Sequence, residues 1–270
     1  MLDIRGYSLR SFTVGAKHER TFSVDTLRGT IADYVLGECG ASESPIPEDF
    51  YDQVAYADGG GVRLSKRDAP QHFTCTRDRV IVTDSTSEIG QSLAHLSPML
   101  ERARHLILGT LQFLDTPNGI FLGFVFEYAE TEKKTRERFK HPIAESLSKN
   151  LTTLPFTQFD YPAEARVRVA FRRRVAESIL RKGLDDYINV ILDIQDAPIS
   201  ELWPNAMTPK TDTATEDIRL GTISLDVQVV LDPRRQLTPA MFETHHQLYD
   251  SDLRSRLATL LAGVGFVSPE

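Results

Sequence analysis

Residues 106–128 read LILGTLQFLDTPNGIFLGFVFEY. Two long apolar runs flank Thr116-Pro117-Asn118-Gly119. Pro, Asn and Gly at the second, third and fourth positions suit a type I turn closed by a left-handed glycine. The stretch therefore predicts the central hairpin of a large antiparallel sheet.

The flanks extend this reading. Residues 4–14 alternate loosely and read as a first strand. Asp25 is placed to cap a helix running to Leu36, with Gly37 and Gly40 ending it. Residues 40–50 have loop composition. Val62–Lys66, His72–Thr76 and Arg79–Thr83 read as a three-stranded meander, with Arg77-Asp78 as a two-residue turn. Ser85 or Ser87 then opens a helix to about His105, bearing Ile89, Leu93, Leu96 and Leu100 on one face. Thr131–Asn150 reads as a charged helix, its ETEKKTRERFK segment (130–140) carrying opposite charges at helical spacing.

In the second half, Val167, Val169 and Phe171 alternate with arginines and are expected to pack inward. Ile188–Ile194 and Ile223–Leu231 alternate in the same way, which makes three half-buried strands. Ala197–Glu216 reads as a long loop. Thr238-Pro239 starts a final helix with an apolar stripe of Phe242, Tyr249, Leu253, Leu257 and Leu260, ended by Gly263.

These elements predict an α+β protein: a mostly antiparallel, twisted sheet with helices packed mainly on one face. The aromatic, proline-bearing segment 151–163 is the natural boundary between an N-terminal sub-domain, 1–150, and a C-terminal one, 164–270. A single domain remains the alternative at 270 residues.

Composition narrows the function classes. Hydrophobic residues make up 41% and charged residues 26%, as in ordinary globular chains. The net charge of −7 argues against a surface that binds nucleic acid indiscriminately, though not against a local basic patch. Two cysteines, Cys39 and Cys75, do not make a disulfide framework, and Cys75 reads as a small core residue of a strand. No apolar run reaches transmembrane length. MLDIRGYSLRSF lacks the apolar run of a signal peptide, and VGFVSPE matches no lipidation signal. Cytoplasmic location and no membrane partner are the resulting expectations.

No phosphate-binding P-loop, dinucleotide fingerprint, zinc-protease motif, paired C-x-x-C or nucleophile elbow is present. The enzyme expectation falls accordingly, and no cofactor is expected. Asp58-Gly59-Gly60-Gly61 is either an anion cradle or a turn before a strand. Asp193, Asp196, Asp226 and Asp232 lie on or at the ends of strands, where carboxylates can gather around magnesium. His246 and Asp250, at i and i+4 of the last helix, share a face and would bind a metal together with a strand carboxylate such as Asp193 or Asp226. The alternative for both groups is a solvated polar face.

Basic residues give a third candidate. Arg166, Arg168, Arg172, Arg173 and Arg174, followed by Arg181 and Lys182, suit phosphate contacts. Arg166, Arg168, Arg172 and Arg174 fall on one strand face. Pairing with nearby acids, or protection of an edge strand, is the structural alternative. Phe156, Phe159 and Tyr161 are either an exposed partner-binding patch or anchors of a crossing loop.

Three functions follow. The leading one is a non-catalytic binding or assembly protein acting through protein contacts or self-association. The second is a nucleic-acid-binding protein using the arginine row. The third is a metal-dependent phosphodiesterase or nuclease.

Overall fold

The structure, a computed structural model, describes residues 4, 6–37, 46, 50–56, 60–67, 69–88, 90–131, 166–174, 187–203 and 219–263. Most of the 40–50 loop, Cys39, most of the charged helix expected at 131–150, the 151–163 boundary with Phe156, Phe159 and Tyr161, and Arg181 and Lys182 lie outside these residues.

Among the described residues, nine strands form one antiparallel sheet. In chain order they are β1 (Tyr7–His18), β2 (Gln53–Tyr56), β3 (Gly61–Lys66), β4 (Ala69–Thr76), β5 (Arg79–Ser85), β6 (Asn118–Glu130), β7 (Arg166–Arg174), β8 (Tyr187–Pro198) and β9 (Arg219–Gln236). Their spatial order is β2-β3-β4-β5-β1-β6-β9-β8-β7. β6 pairs with β9 from Asn118↔Gln236 to Ala129↔Thr222, so the sheet is continuous across the two halves of the sequence. The helices are α1 (Ser23–Gly37), α2 (Leu96–Phe113), α3 (Ile199–Leu202), α4 (Pro239–Leu248) and α5 (Arg254–Gly263), with a π-helical turn over Tyr249–Leu253.

The meander, the three second-half strands and the α+β class are present as the alternation predicts. On one face, Phe12, Val14, Val62, Leu64, Phe73, Cys75, Val80, Val82, Phe124, Phe126, Leu225 and Val227 are buried. α1 packs there over β3, and α2 over β5 and β1. Phe242 of α4 meets Phe124 edge-on, and Tyr249 of the π turn stacks on Phe126 at 3.6 Å. Cys75 is fully buried, and burial pushes its thiol up to about 12. The short α3 is the exception: Trp203 after it packs with Ala129 and Leu220 on the other face.

The expected central hairpin is not there. Leu106–Phe113 is the second half of α2, and only β6 is a strand. The apolar run is helical because Leu96, Leu100, Ala103, Leu106, Ile107, Thr110 and Leu111 keep the three-and-four spacing of one buried helix face. The helix also starts well after Ser85 and Ser87, since β5 runs to Ser85. The turn-like residues serve as a helix terminus instead. The Asp115 N–H donates to the Gln112 carbonyl at 3.1 Å, and the Thr116 N–H to the Leu111 carbonyl at 2.9 Å. That is the Schellman pattern, with Asp115 in the left-handed position at φ 53° and Pro117 just beyond.

Two further departures have local causes. β1 alternates loosely because Arg10 is an extra residue against β6: Leu9 faces Tyr128 and Ser11 faces Glu127. This bulge lets Leu9 and Phe12, three apart, share the buried face. The π turn does the same to the last stripe. Its wider winding moves burial from Leu260, which is 43% exposed, to Leu261.

A buried ion pair fastens α2 to the sheet. Arg102 donates to Asp84 of β5, and its guanidinium lies 4.4 Å over the Phe50 ring. Burial lifts the Asp84 carboxyl above its ordinary range, and the Arg102 charge opposes that rise.

Candidate binding surface on the sheet

Register places the candidate residues. β7 pairs with β8 from Arg166↔Gln195 to Arg174↔Tyr187. Side chains alternate across a strand, so Arg166, Arg168 and Arg172 lie on the face turned away from α1, α2 and α4. There they meet polar residues of β8. Arg166 holds Asp193 with two contacts, Nε to Oδ1 at 2.9 Å and Nη2 to Oδ2. Arg172 Nε donates to Asn189 Oδ1 at 2.9 Å, and its guanidinium sits 4.4 Å over the Tyr187 ring. Arg168 is exposed, and its charge is felt by Asp226. Arg173 and Arg174 complete β7.

The same alternation puts Val169 and Phe171 on the other face, opposite Leu192 and Val190. They were expected to pack inward. Among the described residues β7 ends the sheet, and these side chains are 39% and 52% exposed. An edge strand has a neighbour on one side only, so a hydrophobic alternation need not be covered there.

Asp226 lies on the polar face between Val125 of β6 and Ile191 of β8. Gln228 Nε2 donates to its Oδ2 at 2.6 Å. Burial raises its carboxyl above the ordinary range, against Gln228 and Arg168. It borders a shallow trough of about 140 Å³ whose floor is the Gly15–Gly123 cross-strand pair.

The structure does not bring His246 and Asp250 to Asp226. Phe124 and Phe126 carry α4 and the π turn, whereas Val125 and Asp226 between them point the opposite way. The sheet backbone stands between the two groups. Asp250 instead lies 4.0 Å from Arg254. Among the described residues, no three His, Cys, Asp or Glu side chains gather as a metal site. No described helix is long and apolar enough to cross a membrane.

No protein-family model and no curated protein matches this chain.

The described end of the glycine run belongs to a packing turn. Gly60 has φ +90°, and a Cβ there would stand 1.7 Å from Asp25 Oδ1. Asp25 is itself gripped by Arg77, with Nη2 to Oδ2 at 2.7 Å.

One feature on the polar face left only a faint trace in the sequence. The bulged Arg10 donates through Nη2 to Glu127 Oε2 and through Nη1 to the Leu202 carbonyl, both at 2.8 Å. Its guanidinium also lies 5.7 Å from the Trp203 ring centre. The break in alternation between Leu9 and Phe12 was the signal available.

Proposed function

We propose that the chain is a non-catalytic binding or assembly protein that works through protein–protein contacts, with β7 as a contact element. One observation carries this reading. β7 is an edge strand among the described residues and exposes Val169 and Phe171 on the face that the helices cover over the central strands. Exposed edges accept a further strand through unpaired backbone groups, and neighbouring apolar side chains add burial.

Charge selects the partner. Along the polar face of β7, four of the five positions from 166 to 174 are arginine. Pairing β7 with a second copy of itself would set arginine against arginine, which is unfavourable for residues directly opposed. An extended segment bearing acidic side chains fits the edge better.

The nucleic-acid reading rests on the same arginines. Arg168 favours it through its exposure. Arg166 and Arg172 weigh against it, because phosphate contacts would compete with Asp193, Asn189 and Tyr187.

Light scattering on protein purified from its host, with absorbance at 260 and 280 nm, tests the proposal. The expected result is a co-eluting second polypeptide that is absent from a Val169→Lys/Phe171→Lys variant. A bare 30.4 kDa monomer would refute the proposal, as would a homodimer that survives the double substitution. Co-eluting nucleic acid released by salt would move the function to the arginine row.

A further inference from the structure

A second region of the polar face, remote from β7, has the form of a small-molecule site. It is a cavity of about 500 Å³ bounded by β1, β4, β5 and the end of α3. That falls within the roughly 300–1,000 Å³ usual for ligand pockets. Its wall includes Arg10, Arg67, His72, Ser85, Thr86 and Trp203.

The side chains are held in place by their neighbours. The Thr86 N–H donates to the Arg10 carbonyl at 2.7 Å. Trp203 Nε1 donates to Thr86 Oγ1 at 3.3 Å, and Ser85 Oγ to Ser11 Oγ at 2.8 Å. The Arg67 backbone N–H is held by Asp52 Oδ1 at 2.7 Å, while its exposed guanidinium has no partner among the described residues. Two of the Arg10 guanidinium nitrogens hold Glu127 and Leu202, and its buried Nε has no acceptor among the described residues. Each Arg10 Nη group carries a second N–H beyond the one given to Leu202 or Glu127, and a charged donor of this kind suits an oxyanion. His72 is neutral near pH 7, because burial and the Arg63 charge bring it down to about 4. A neutral imidazole offers one donor and one acceptor. Ala69, Pro70 and Leu202 supply apolar wall, which a bare inorganic ion would leave unused.

We infer that this cavity binds a small organic anion, its carboxylate or phosphate held by Arg67 and Arg10 and its carbon body lying against Leu202 and Trp203. Glu127 neutralises part of the Arg10 charge, so a single oxyanion group suits the site better than a polyanion.

The test titrates the full chain with phenyl phosphate, benzoate and inorganic phosphate, followed by calorimetry and by the emission of Trp203, the only tryptophan. Saturable binding of phenyl phosphate or benzoate is expected, with the same midpoint in both readouts. Binding of one and not the other would assign the oxyanion as phosphate or carboxylate. Arg67→Ala, at an exposed position, is expected to weaken binding about tenfold or more. Arg234→Ala, whose side chain pairs with Glu19 at the far end of β1, is expected to leave it unchanged. The inference is overturned if neither organic anion saturates the protein at millimolar concentration. It is also overturned if inorganic phosphate binds as tightly as phenyl phosphate, or if the two variants respond alike.

Discussion

Replacing Arg102 with Met removes the cation from the buried pair that joins α2 to β5, while an unbranched side chain still fills the space. The Asp84 side chain is 2% exposed and that of Arg102 is 9% exposed. Water therefore cannot take over from the guanidinium. Stranding a buried carboxylate in this way costs about 3–5 kcal/mol. At roughly 2–4 °C per kcal/mol for a domain of this size, the midpoint of thermal unfolding should fall by roughly 6–20 °C. Urea unfolding followed by Trp203 emission measures the free energy directly. The deficit should also depend on pH, with a definite sign. Burial already raises the folded carboxyl, and Arg102 holds it down. Without Arg102 the folded pKa rises further, while the unfolded one stays ordinary. The Asp84 contribution to the variant's stability is then greatest in acid and is lost as pH rises through the folded pKa. The gap to the parent protein should narrow as pH is lowered. An apolar double variant, Asp84→Leu/Arg102→Met, should recover most of the loss. A deficit below about 1 kcal/mol, or one that does not change with pH, would refute the role given to this pair.

Two other substitutions check separate parts of the fold. Asp115→Gly relieves a left-handed residue at the end of α2 and should stabilise the protein by up to about 1 kcal/mol in urea unfolding. A loss of stability would contradict the helix terminus described here. His72 has a folded pKa near 4 against an unfolded value of 6.5. The unfolded chain therefore binds the extra proton between those values, and stability falls as pH drops from 6.5 towards 4. The full separation is worth about 3 kcal/mol, which partial exposure and screening reduce to roughly 1–2 kcal/mol. His72→Gln should flatten that acid arm of the stability profile, and superimposable profiles would refute the assignment.

Local pattern alone determined much of this molecule. Period-two burial in the meander and in the strands at 188–194 and 223–231 is written in single residues, because a side chain's face depends only on its place along the strand. The same alternation also put Cys75 in the core and four of the five arginines of β7 on one face. The tertiary structure decided what competing local signals left open. LILGTLQF satisfies both a strand's composition and a helix's spacing, and only packing of Leu106, Ile107 and Leu111 beneath the sheet selects the helix. One-residue insertions at Arg10 and in the π turn shift every later side chain, and no periodicity argument anticipates where they fall. Charged residues depend on neighbours distant in sequence. Asp193 occupies Arg166 from 27 residues away, Asp84 takes Arg102 from 18, and Glu127 meets Arg10 from 117. Electrostatic energy is set by distance and burial in space, so which arginine of β7 is ion-paired and which residues border the cavity beside Arg10 became visible only with the strands in register.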